Sequence, residues 1–99
     1  SVIHLDRFGN CITNLTEAEL PLAVARDRGR AFSIADNAVT QCGTHFAQAT
    51  EKDKLFAYPG SAGYWEVALW CDSAAERFGI RRGDTIIVEG LSANVINNE

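Results

Sequence analysis

The chain has 99 residues, 46% of them hydrophobic and 22% charged, with a formal net charge of −4. That composition excludes a disordered tract, and no apolar run reaches the roughly 20 residues that a membrane-spanning helix needs. The acidic balance disfavours nucleic-acid binding, because phosphate backbones repel such a surface.

Val2–Leu5 opens the chain with strand composition, and a tight turn follows over 7–10, where Gly9 and Asn10 tolerate positive φ. Residues 11–15 are extended again. Thr16-Glu17-Ala18-Glu19 fits a capping box, so a short helix is expected to begin there. Pro21 limits that helix unless it sits in the first turn. Residues 26–30, Arg-Asp-Arg-Gly-Arg, read as a charged, solvated loop. Residues 31–35 alternate as a strand does, Asp36-Asn37 is a turn, and 38–41 form another strand. The stretch 43–53 is polar and irregular. Residues 54–58 have strand composition, 59–63 (Pro-Gly-Ser-Ala-Gly) form a strong turn, and 64–70 are the best strand in the chain. Asp72 and Ser73 cap a short helix over Ala74–Phe78 that ends at Gly79. Residues 82–84 turn into a strand over 85–89, and 91–99 are a last strand or a frayed tail.

Six or seven short strands with two short helices predict one mainly β domain over residues 1–99. A small closed or nearly closed antiparallel β-barrel, or a sandwich, is the natural architecture, since closure removes exposed strand edges. Cys11, Cys42 and Cys71 are odd in number and contain no C-x-x-C, which suggests neither a disulfide framework nor a structural zinc site. Free thiols suit a reducing cytoplasm. His4 and His45 stand alone in sequence and read as packed or surface histidines. No signal peptide is visible, and the absence of an initiator Met raises processing or truncation.

Three clusters carry chemistry. The first, Asp6 to Asn14, gathers a carboxylate, an aromatic ring and an amide around one turn. A carboxylate suits an ammonium group, an aromatic face suits a planar base, and an amide reads donors and acceptors. The alternative is a polar turn with one core aromatic. The second, Gly60-Ser61-Ala62-Gly63, is either a plain hairpin turn or a close-approach turn whose N–H groups hold a carboxylate. The third is Glu66 inside an apolar strand. By alternation it faces solvent while Trp65 and Val67 face the core, or it accepts a hydrogen bond from an exocyclic amine.

Together, Ile3-His4-Leu5-Asp6-Arg7-Phe8-Gly9-Asn10-Cys11-Ile12-Thr13-Asn14 and Gly60-Ser61-Ala62-Gly63-Tyr64-Trp65-Glu66-Val67-Ala68 resemble a known family. Ser73-Ala74-Ala75-Glu76 and Gly83-Asp84-Thr85-Ile86-Ile87-Val88 continue the pattern. The chain is similar to the C-terminal domain of the S-adenosylmethionine hydroxide adenosyltransferases, relatives of the fluorinases and chlorinases. The resemblance implies a Greek-key β-barrel that follows a larger N-terminal α/β domain. It implies S-adenosylmethionine as substrate rather than cofactor, bound where the α/β domain of one subunit meets the barrel of its neighbour in a homotrimer. The reaction implied is hydrolysis to adenosine and methionine.

Residue by residue, the resemblance implies that Asp6 holds the methionine ammonium, that Phe8 and Phe46 pack on the adenine and that Asn10 hydrogen-bonds it. Ser61 and the backbone of Ala62 would hold the methionine carboxylate. Glu66 would lie at the adenine edge, with backbone groups near Leu69 to Cys71 completing the pocket. Two departures matter. Gly60 stands where relatives often have a polar residue, and Ala62 stands where halogenases can have Arg, which speaks for the hydrolytic branch. The water-activating and ribose-binding residues of the family belong to the N-terminal domain, so the isolated chain is expected to be inactive. The alternative is a stand-alone barrel that binds a nucleoside or a protein without catalysis.

Overall fold

The computed structural model describes residues 1–29, 31–44, 53–70 and 72–88. In chain order they form β1 (Val2–Leu5), β2 (Cys11–Thr16), α1 (Leu22–Arg28), β3 (Phe32–Ile34), β4 (Asn37–Val39), β5 (Gln41–Cys42), β6 (Phe56–Pro59), β7 (Tyr64–Ala68), α2 (Ala74–Phe78) and β8 (Ile86–Ile87). Two sheets result. One has the order β1-β2-β7-β6-β5 and the other β4-β3-β8. Pairing is antiparallel except between β5 and β6.

The mainly β class with two short helices is therefore correct. The expected closed barrel is not found: among the described residues the sheets stay two and do not join into a ring. The strand expected over 38–41 explains the split. Asn37–Val39 pairs with β3, Gln41–Cys42 pairs with β6, and the chain changes sheets at Thr40. One continuous expected strand is thus two strands in different sheets.

The core lies between the sheets. Alternation along β7 sends Trp65 and Val67 inward, both fully buried, and leaves Glu66 on the outer face. Trp65 meets Phe32 of the smaller sheet edge-to-face, with centroids 5.8 Å apart. That geometry aligns a positive ring edge with a negative ring face. The indole N–H donates to the Leu20 carbonyl at 3.0 Å, so the largest buried side chain leaves no polar atom unsatisfied. The β2–β7 register shifts between Ile12 and Thr16. Buried Thr13 lies within that stretch: its hydroxyl donates to the Trp65 carbonyl at 2.8 Å and accepts from the Leu15 N–H at 3.1 Å. It meets the backbone groups that an irregular ladder would otherwise strand.

Two local expectations are corrected. The capping box at Thr16 does form, with Glu19 N–H donating to the Thr16 hydroxyl at 3.1 Å and Thr16 N–H to the Glu19 carboxylate at 2.9 Å. It closes a turn rather than starting a helix. Pro21 disfavours helical backbone at the residue before it. Pro21 itself is extended (ψ 142°) and becomes the N-cap of α1. Arg26, Asp27 and Arg28 are not a loop but the last turn of that helix, closed by Gly29 at φ 69°. Their two arginines suit the negative end of the helix dipole.

Cys11 is buried and Cys42 half-buried, and both are free thiols. Among the described residues no helix is long and apolar enough to cross a membrane. Phe46, His45, Cys71 and the expected last strand or tail over 91–99 lie outside the described residues.

Candidate functional site

The loop from Asp6 to Asn10 is built by its own carboxylate. Asp6 Oδ1 accepts from the N–H of Phe8 at 2.8 Å and of Asn10 at 3.0 Å, and Oδ2 accepts from the Asn10 side-chain amide at 3.2 Å. The Asp6 carbonyl accepts from Gly9 N–H at 2.9 Å, and Asp6 N–H donates to the Asn10 carbonyl at 3.0 Å. An ionised carboxylate offers about four lone-pair sites. These three donors leave it with capacity for a further one.

Gly9 is required twice over. Its φ is +84°, and a Cβ there would run into Ser73, whose Cα would lie only 2.9 Å away. Ser73 N-caps α2 by accepting from Glu76 N–H at 3.0 Å, and the Gly9 carbonyl accepts from Ala75 N–H at 3.0 Å. The loop is thus docked on the first turn of α2. A shallow cleft of about 270 Å³ lies along this junction, lined by Asp6, Arg7, Phe8, Gly9, Ser73 and Glu76 among others. Phe8 is not a core aromatic. It is 65% exposed, and the Arg7 guanidinium lies 5.1 Å from its ring centroid. The reading of the ring as a core residue is thereby overturned.

The second cluster is the β6–β7 hairpin. Tyr58 pairs with Glu66 and Pro59 with Trp65. Gly60 N–H donates to the Tyr64 carbonyl at 2.8 Å, and Gly63 N–H to the Gly60 carbonyl at 2.9 Å. Ser61 and Ala62 stand exposed at the tip. Glu66 reaches back along the strand to this turn. Its Oε1 accepts from the Tyr58 hydroxyl at 3.1 Å. A Cβ on Gly60 would collide with the Glu66 carboxylate, its carboxyl carbon only 2.7 Å away. Burial pushes the Tyr58 hydroxyl up to about 12, and the charge and hydrogen bond of Glu66 push the same way. The negative charge of Asp6 adds a smaller push.

The strand registers relate the two clusters. His4 pairs with Ile12, Ile12 with Glu66 and Glu66 with Tyr58, a row across the outer face of the larger sheet. Asp6 follows His4 at the end of that row. The cleft beside Asp6, however, opens toward α2, and Ser61 and Glu66 are not among its lining residues. Leu69 is buried, and its carbonyl accepts from Asp72 N–H at 3.3 Å where the chain reverses after β7.

Sequence reasoning missed the role of Tyr58. The signal was available: a hairpin turning at 60–63 sets 58 opposite 66. It also missed what packs over Gly60. The Glu66 side chain arrives from the opposite strand and would have to shift for a Cβ there, which no local turn rule reports.

Comparison with known proteins gives consistent results. The family described as SAM hydroxide adenosyltransferase C-terminal domain matches residues 1–87. Among solved structures, the chain is similar to an uncharacterized conserved protein from Thermotoga maritima. Identity is 26% and the TM-score 0.70, over 87% of this chain and 34% of that one. It is also similar to a conserved hypothetical protein from Thermus thermophilus, with 31% identity and a TM-score of 0.63, over 87% of this chain and 30% of that one. The chain spans about a third of the length of these structures.

Proposed function

This chain belongs to the SAM hydroxide adenosyltransferase C-terminal domain family, and we propose that it supplies the adenine- and methionine-recognising half of an S-adenosylmethionine hydrolase. The observation that carries the reading is the Asp6–Asn10 loop. A carboxylate with acceptor capacity to spare, an exposed aromatic ring and an amide are presented together on a backbone already fixed by four hydrogen bonds. Asp6 takes the substrate ammonium, Phe8 packs on the adenine and Asn10 hydrogen-bonds it. Ser61 and the Ala62 backbone take the substrate carboxylate. Phe46 and the backbone near Leu69 to Cys71 belong to the same reading.

In the proposed reaction, water attacks the ribose 5′ carbon. A C–O bond forms, the C–S bond breaks, and its electron pair neutralises the sulfonium. Methionine leaves as a neutral thioether and needs no general acid, while the water proton passes to a base. This chain holds the two ends of the substrate so that the reacting carbon faces the nucleophile. The base and the ribose contacts are assigned to an N-terminal α/β domain from a neighbouring subunit of a homotrimer. Exposed Phe8 and Trp70 suit burial against such a partner. Ala62, with no cationic side chain for a halide, supports water as the nucleophile.

The test is adenosine release from S-adenosylmethionine by the assembly that contains this chain. Asp6→Asn is the informative variant, because it retains acceptor oxygen for the loop while removing the charge. An apparent KM raised about tenfold or more is expected for the loss of a charge-assisted bond. An unchanged KM would remove Asp6 from the ammonium site.

A further inference from the structure

Glu66, which the resemblance places at the adenine edge, also borders the 60–63 turn. The carboxylate is folded against Gly60, the residue next to Ser61. A ligand carboxylate held by Ser61 and Ala62 would therefore sit beside a second negative charge. In low dielectric two such charges repel strongly. The conflict is relieved if the ligand end is a zwitterion, whose ammonium, held by Asp6 in the reading above, also offsets the charge of Glu66. Asp6 lies two residues beyond His4, which shares a register row with Glu66 through Ile12.

Resting on the reading above, we propose that Tyr58 is a positioning residue that holds Glu66 against the 60–63 turn, so that the site accepts an α-amino-acid end only with its ammonium present. Three features support the assignment. The hydroxyl–carboxylate bond is 3.1 Å and joins directly paired residues of β6 and β7. The ring of Tyr58 is itself stacked on Phe56, with centroids 6.4 Å apart and planes 30° from parallel. The absence of a side chain at Gly60 leaves the space the carboxylate fills. A glutamate on an open sheet face would otherwise sample several rotamers, and the bond from Tyr58 removes that freedom before the ligand arrives.

The experiment compares S-adenosylmethionine with its analogue lacking the α-amino group. It uses the assembly in wild-type form and as Tyr58→Phe, Glu66→Gln and Gly60→Ala. The readout is the ratio of the two KM values. All three variants are expected to raise KM for S-adenosylmethionine more than for the analogue, cutting the preference about tenfold in Glu66→Gln and less in Tyr58→Phe. Gly60→Ala reaches the same end by displacing the carboxylate, so the outcome survives if one variant folds poorly. Equal rises on both ligands would mean a merely structural pair and would overturn the proposal. Adenosine release with an unaltered preference in Glu66→Gln would overturn it too, while leaving the hydrolase reading intact. No adenosine release from the wild-type assembly would sink both.

Discussion

Replacing Gly9 by Ala tests whether the Asp6–Asn10 loop is locked to α2 or merely lies near it. Gly63 is the natural control, because its φ of +90° matches the +84° of Gly9 while a Cβ on Gly63 meets nothing within 4 Å. Forcing a left-handed backbone on Ala costs about 1–2 kcal/mol. Reduced freedom of the unfolded chain returns about 0.4–1 kcal/mol. Gly63→Ala should therefore cost about 1 kcal/mol. At Gly9 the new methyl also meets Ser73, including its backbone Cα at 2.9 Å. Overpacking of that kind costs a further ~1–3 kcal/mol, giving a total of about 2–4 kcal/mol. Urea denaturation of each variant gives the difference, with unchanged slope expected. Ser73→Gly removes the hydroxymethyl group but not the Cα, and Gly costs little as a cap. In the Gly9→Ala background it should restore part of the loss, never all of it. Equal losses for Gly9→Ala and Gly63→Ala would refute the docking of the loop on α2.

Thr13→Val keeps the shape but deprives the Trp65 carbonyl and the Leu15 N–H of a partner; a loss of about 2 kcal/mol in the same denaturation assay is expected. The Tyr58 hydroxyl keeps its proton to about 12 when folded but ionises near pH 10 when unfolded. Its contribution to stability is therefore complete below pH 10 and lost as pH climbs toward 12. An absorbance titration should show one tyrosinate appearing late, and Glu66→Gln should move it earlier. Burial holds the Cys11 thiol up to about 12, with Asp6 and Asp84 adding to the effect. Native protein at about pH 8 should leave Cys11 unlabelled by a disulfide reagent, as peptide mass analysis would show, whereas unfolded protein reacts.

What was legible in the sequence was local. Ser73 and Gly79 bound α2 at the residues read as caps. The alternation of Trp65, Glu66 and Val67 gave their faces correctly, because the period of a strand leaves no other choice once two of the three must be buried. The turn at 7–10 was also plain, although its bonding to Asp6 was not. What failed depended on partners distant in sequence. Nothing near Thr40 announces a change of sheet, since both halves of 38–41 have ordinary strand composition. The capping box at Thr16 satisfied every local rule and still made only a turn, because Pro21 restricts the backbone of Leu20. From the residues alone, Asp6 and Glu66 fall in two separate clusters. Their common outer face follows from the β1-β2-β7-β6 order, which no window of sequence contains.

The seam between β2 and β7 also governs how the chain reaches this structure. Thr13 and Trp65, joined there, are 52 positions apart. The β6–β7 hairpin, by contrast, closes over a four-residue turn, from Gly60 to Gly63. Hairpins form in about 1–10 μs, whereas sheets that depend on distant pairing take milliseconds to seconds. The hairpin bearing Tyr58 and Glu66 is thus available early, and the strand following Asp6 must find it across half the chain. Destabilising the 60–63 turn should slow folding, while Thr13→Val should chiefly speed unfolding, the two halves of the recognition face entering the folding reaction at different times.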